Sequence, residues 1–154
     1  MDSYLAKATS FVQQPNWWDD MPKPQASPNG PLAGASLGQV SVNVEDVDRA
    51  TAFYRDKLGV KHLFSAGGMA FFAAGDVRLM LTKPEAEFAG PSSLLYFKVD
   101  DIDQAHGDLE ASGVVFRRGP TLTHADGGHE LWMAFFADGE GNTHALMEER
   151  ATTV

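Results

Sequence analysis

Val44-Glu45-Asp46-Val47-Asp48-Arg49-Ala50 recurs 55 positions later as Val99-Asp100-Asp101-Ile102-Asp103-Gln104-Ala105. Each copy follows an alternating apolar stretch, Gln39 to Val44 or Leu94 to Val99. Each opens a helical pattern that stops near a glycine, Gly59 or Gly113. A period of this size means that one supersecondary unit is used twice. Asp46 is suited to cap the first helix, because its carboxylate can accept the unpaired N–H groups of the first turn. Val47, Ala50, Tyr54 and Leu58 then line one face.

The first unit, residues 37–83, reads as a strand, a helix over Val47–Leu58, and strands near His62–Ser65, Met69–Ala74 and Val77–Thr82. The second, residues 92–149, repeats the order. Its helix covers Ile102–Ala111 and its later strands lie near Val114–Arg117, Glu130–Phe136 and Thr143–Glu148. Gly67-Gly68 and Asp138-Gly139-Glu140-Gly141-Asn142 supply tight turns. His106 falls among polar neighbours and is expected to face solvent.

Residues 1–36 read as an extension. Tyr4, Leu5, Ala8, Phe11 and Val12 have helical spacing, and a Pro-, Gly- and Ser-rich linker follows Trp17-Trp18. The two tryptophans suit a staple onto the domain, a flap over a cavity or a contact to another subunit. Residues 150–154 read as a tail.

Composition narrows the function classes. A net charge of −9 over 154 residues argues against nucleic acid, which needs a basic stripe; the only adjacent basic pair is Arg117-Arg118. No apolar run approaches the roughly 20 residues of a membrane span, so no membrane partner is expected. The absence of cysteine removes disulfides and thiolate metal sites and fits a cytoplasmic location.

Val44-Glu45-Asp46, Ala52-Phe53-Tyr54 and Leu58-Gly59-Val60, together with Phe135-Phe136-Ala137-Asp138-Gly139-Glu140-Gly141-Asn142, resemble the vicinal oxygen chelate superfamily of glyoxalases, bleomycin-binding proteins and extradiol dioxygenases. Gly139 stands where the family turn carries proline. The resemblance covers residues 37–149. It implies an α+β fold: two tandem βαβββ units forming a curled mixed sheet around a cleft, with helices outside. It also implies a homodimer, with the two units paired within one chain or exchanged between subunits.

The family's metal enzymes use inward positions on four strands, which correspond here to Gln39, Met80, Leu94 and Ala145. An amide, a thioether and two hydrocarbons do not make a site for Zn²⁺, Ni²⁺, Fe²⁺ or Mn²⁺. The expectation is a cleft with no metal and no cofactor. His144 has the opposite strand parity from Ala145 and is expected to face the helix layer.

The same parity brings Ser41, Asn43, Arg78, Thr82, Tyr96, Lys98 and Met147 inward. Such a floor suits a small-molecule ligand: Arg78 could pair with an anion and Tyr96 could stack on a ring. The segment from Thr121 to Trp132 gathers His124, His129 and Glu130 around a pliable Gly127-Gly128; its part ahead of the strand at Glu130 is expected to be a surface loop, with a mobile lid as one reading. His124 and His129, with Glu130 as partner, are the candidate acid–base groups, and Trp132 is a further ligand contact.

Three functions compete. The first is metal-independent binding of an aromatic or amphiphilic small molecule, with the acidic composition favouring a cationic one. The second is a metal-independent isomerase, lyase, epimerase or cyclase working beside a carbonyl. The third is a metal-dependent glyoxalase-like enzyme with a displaced site at Gln39, His124, His129 and Glu130.

Overall fold

The computed structural model describes residues 30–152; the expectations for the extension up to Trp17-Trp18 lie outside them. The first unit consists of β1 (Gln39–Asn43), α1 (Val47–Ala52), β2 (Lys61–Ala66), β3 (Met69–Ala74) and β4 (Val77–Thr82). The second consists of β5 (Tyr96–Lys98), α2 (Ile102–Ala111), β6 (Val115–Ala125), β7 (His129–Ala137) and β8 (Thr143–Ala151). The duplication is therefore a duplication of βαβββ.

The strands make two four-stranded mixed sheets, ordered β1-β4-β3-β2 and β5-β8-β7-β6. In each, the first strand runs parallel to the last, and the other neighbours are antiparallel. Strand alternation separates two faces. Val42, Phe72, Leu79 and Leu81 are buried with Ala50 and Tyr54 of the first helical segment; each large apolar side chain removed from water contributes about 2 kcal/mol. Ala134, Phe136 and Leu146 do the same with Ile102 of α2. Phe53 and Leu58 touch both clusters, so the two cores are continuous within one chain.

The first helix departs from expectation. It is α-helical only to Ala52, and Phe53–Lys57 form a wider π turn, closed by Leu58 N–H donating to the Phe53 carbonyl at 3.0 Å. Asp46 caps it as expected, accepting from Arg49 N–H at 3.0 Å, and Asp101 repeats that bond at α2 with Gln104. β8 continues to Ala151, past the expected start of the tail.

The turn after β7 joins the units. The buried Asp138 accepts from Tyr54 Oη at 2.6 Å and from the Asn142 amide at 2.7 Å. Glu140 accepts from the backbone N–H groups of Glu45 and Asp46 at 3.0 and 2.9 Å, and from Arg49 Nε at 2.6 Å. Asn142 Nδ2 donates to the Asn43 carbonyl at 2.8 Å. A stretch readable as a hairpin turn is thus also the latch holding the second unit to the first helix.

His144 lies on the helix side of its sheet, fully buried, as its parity requires. Leu95 N–H donates to its Nδ1 at 3.2 Å, so the ring proton is on Nε2, 2.9 Å from Tyr54 Oη. His144 therefore donates to Tyr54, which donates to Asp138. Burial pushes the His144 pKa down, outweighing the opposite pull of Asp138. Burial, and then the Asp138 charge, push the Tyr54 phenol well above its ordinary range. His106 is not the solvent-facing residue expected: its ring meets Phe116 edge-on at 4.4 Å and Nε2 lies 3.3 Å from Glu110.

Candidate functional site

With the helix-side faces spent on the core, the opposite faces carry the candidate chemistry. On the first sheet, Gln39, Ser41, Arg78 and Met80 share that open face, and Gln39 pairs with Arg78 and Ser41 with Met80 in register. Arg78 Nε donates to Gln39 Oε1 at 2.7 Å, and its guanidinium lies 5.4 Å from the centre of the Phe71 ring. Gln39 Nε2 contacts Met80 Sδ at 3.7 Å.

The second sheet holds a concavity of about 480 Å³. Leu94 and Tyr96 form one side, Met133 and Phe135 the floor, and Arg117, Arg118 and Thr121–Thr123 the far wall. Its volume falls within the range usual for small-molecule sites, and most of its lining is apolar or aromatic. Ala145, fully buried, is the register partner of Tyr96 and Phe135, and Met147 pairs with Lys98 and Met133.

That far wall exists because β6 is irregular. Its eleven residues stand opposite the eight from Glu130 to Ala137, and the register shifts between Phe116 and Arg118, between Arg118 and Thr121, and between Leu122 and His124. Each extra residue is a bulge, which bends the strand and re-aims its side chains. Arg117 and Arg118, which a regular strand would send to opposite faces, both reach the pocket. Neither arginine nor Phe135 figures among the residues singled out from sequence for the site. The available signal was the adjacent basic pair followed by Gly119-Pro120, a combination that a regular inner strand does not tolerate.

The segment expected as a loop, with a lid as one reading, is instead mostly strand, with only Asp126–Gly128 between β6 and β7. Asp126 Oδ1 accepts from the N–H groups of Gly128 and His129 at 3.1 and 3.0 Å and fixes that turn. His124 is buried and pairs in register with Leu131, on the pocket side of the sheet. His129 is exposed at the start of β7, opposite Ala151. Glu130 and Trp132 have the other parity, the side of Ala134 and Phe136. Trp132 Nε1 donates to Glu130 Oε2 at 2.9 Å, and Arg150 stacks 4.7 Å from the indole centre. The sheet therefore separates Glu130 and Trp132 from the His124 face, and Trp132 supports the core rather than the pocket.

A further cavity of about 500 Å³ lies outside α1, lined by Arg49, Asp56, Lys57 and Asp138–Glu140. Two of its charged groups already neutralise each other, since Arg49 is paired with Glu140.

The comparisons agree with this architecture. The family model for the Glyoxalase/Bleomycin resistance protein/Dioxygenase superfamily matches residues 36–146. The chain belongs to this superfamily. Among solved structures it is similar to TnmS3, an antibiotic-binding protein from Streptomyces sp. CB03234, with 25% identity and a TM-score of 0.63 over 75% of this chain and 97% of that one. A glyoxalase/bleomycin resistance protein from the same organism shares 28% identity, with a TM-score of 0.58 over 72% and 98%. The lactoylglutathione lyase of Agrobacterium tumefaciens shares the fold at 21% identity, with a TM-score of 0.55 over 74% and 93%. No curated protein matches the sequence.

The metal positions implied by the superfamily do not suit an ion here. Gln39, the one oxygen donor among them, is hydrogen-bonded to a guanidinium, whose charge opposes a second cation at that oxygen. Ala145 and Leu94 provide no donor atom. Among the described residues no three His, Cys, Asp or Glu side chains converge on a common point. No described helix is long and apolar enough to cross a membrane.

Proposed function

We propose that the protein binds an aromatic small molecule, without a metal ion, in the pocket of the second sheet, and that it works as a cytoplasmic homodimer. The pocket itself carries this reading: about 480 Å³ with Tyr96 and Phe135 as aromatic surfaces and Leu94 and Met133 as apolar ones. Aromatic side chains contribute large contact areas and favour stacked or edge-on ring contacts. Thr121 Oγ1 donates to the Gly119 carbonyl at 3.0 Å, which leaves its oxygen to accept a hydrogen bond from a ligand hydroxyl or amine. The likeness to an antibiotic-binding protein points the same way. His124 and Glu130 lie on opposite faces of the sheet and so do not converge on one reacting atom, which supports binding over acid–base catalysis by that pair.

Titration calorimetry with 2-naphthamide, an uncharged aromatic probe, tests the reading. A dissociation constant of about 100 μM or tighter is expected. It should be unchanged by EDTA and at least tenfold weaker in Tyr96→Ala. No heat of binding to the unaltered protein, or binding that vanishes with EDTA, would remove the proposal.

A further inference from the structure

The composition as a whole favours a cationic ligand, but the pocket does not. Among the described residues its lining includes two arginines and no carboxylate. In a chain of charge −9 that is a local reversal of sign. Charges more than roughly 8 Å away are largely screened at physiological ionic strength, so a ligand in contact with the wall responds to the guanidinium groups rather than to the distant acidic surface.

Resting on the binding reading above, we infer that the physiological ligand is an aromatic acid, its rings on Tyr96 and Phe135 and its anionic group on Arg117 and Arg118. Three observations converge. The bulge at Arg117 brings consecutive arginines to one side of the sheet, an arrangement a regular strand cannot provide. No salt bridge joins Arg117 to any described residue, so its planar fork can take both oxygens of a carboxylate, sulfonate or phosphonate. The Arg118 guanidinium lies 6.0 Å from the centre of the Phe135 ring, which places positive charge and aromatic floor side by side.

Three probes of one shape separate the charge question from the shape question: 2-naphthoate, 2-naphthamide and 2-naphthylmethylammonium. Calorimetry at 50 mM salt should give at least tenfold tighter binding for the acid than for the amide, with the ammonium weakest. Raising salt to 500 mM should weaken the acid alone. In Arg117→Gln/Arg118→Gln the acid should fall to parity with the amide, while undiminished amide binding shows that the pocket is still folded. Equal affinities for all three probes, or a preference for the ammonium, overturn the anionic ligand and leave the aromatic pocket standing. Binding of none of them removes both readings together.

Discussion

The hydroxyl of Tyr54 is a buried point at which the two units are chemically joined, since it accepts from His144 and donates to Asp138 inside the core. Tyr54→Phe keeps the ring and its volume but strands an imidazole N–H and one carboxylate oxygen lone pair away from water. Such losses cost about 2 kcal/mol, so urea unfolding should show that decrease with an unchanged slope. His144 adds a pH dependence whose sign is fixed by its environment. Its folded pKa lies below the ordinary value of 6.5, so its contribution is complete above that value. It is lost as pH falls from there through the folded pKa, because the unfolded chain takes up the proton first. His144→Asn keeps an acceptor for Leu95 N–H but cannot titrate. The stability gap between the two proteins should therefore narrow between pH 7 and pH 5 in parallel urea series. A constant gap would mean that His144 does not contribute to the acid sensitivity.

At the scale of elements, the β2–β3 turn shows how local chemistry fixes register. Gly67 and Gly68 have φ of +60° and +76°, the left-handed pair required by a two-residue hairpin whose twist matches its strands. A Cβ on Gly68 would meet no atom within 4 Å, so Gly68→Ala tests the backbone conformation alone. It should cost about 1 kcal/mol, read as a lowered melting temperature with binding intact. Turns like this, the Asp46 cap and the alternation of β1 and β4 were legible in the sequence, since each is a local rule with one solution. The limits of Met69–Ala74, Val77–Thr82 and Ile102–Ala111 match the expected ones. β6 was not legible. A bulge adds one residue and breaks the two-residue period, so its three irregularities erased the alternation and gave Thr121–Ala125 the look of a loop. Glu130 and Trp132 were drawn into the site for a related reason. Both faces of β7 are apolar, and composition alone does not choose which one meets the helix.

For the molecule as a whole, the open face of the first sheet bears on the proposed homodimer. Phe64 is 48% exposed and stacks on Phe71 at 4.6 Å, with Leu63 beside it also 43% exposed. A sheet face intended for water would carry polar side chains in these places, and contiguous exposed apolar side chains mark interaction surfaces. Burying one such phenylalanine against a second copy contributes about 2 kcal/mol, and a symmetric contact uses it twice. Light scattering on eluted protein should then give twice the 16.7 kDa chain mass. Phe64→Glu places a charge in that contact and gives up only the stack on the buried Phe71, so it should shift the protein to the single-chain mass while circular dichroism stays unchanged. A single-chain mass for the unaltered protein across the micromolar range would instead assign the Phe64–Phe71 face to the monomer's own surface.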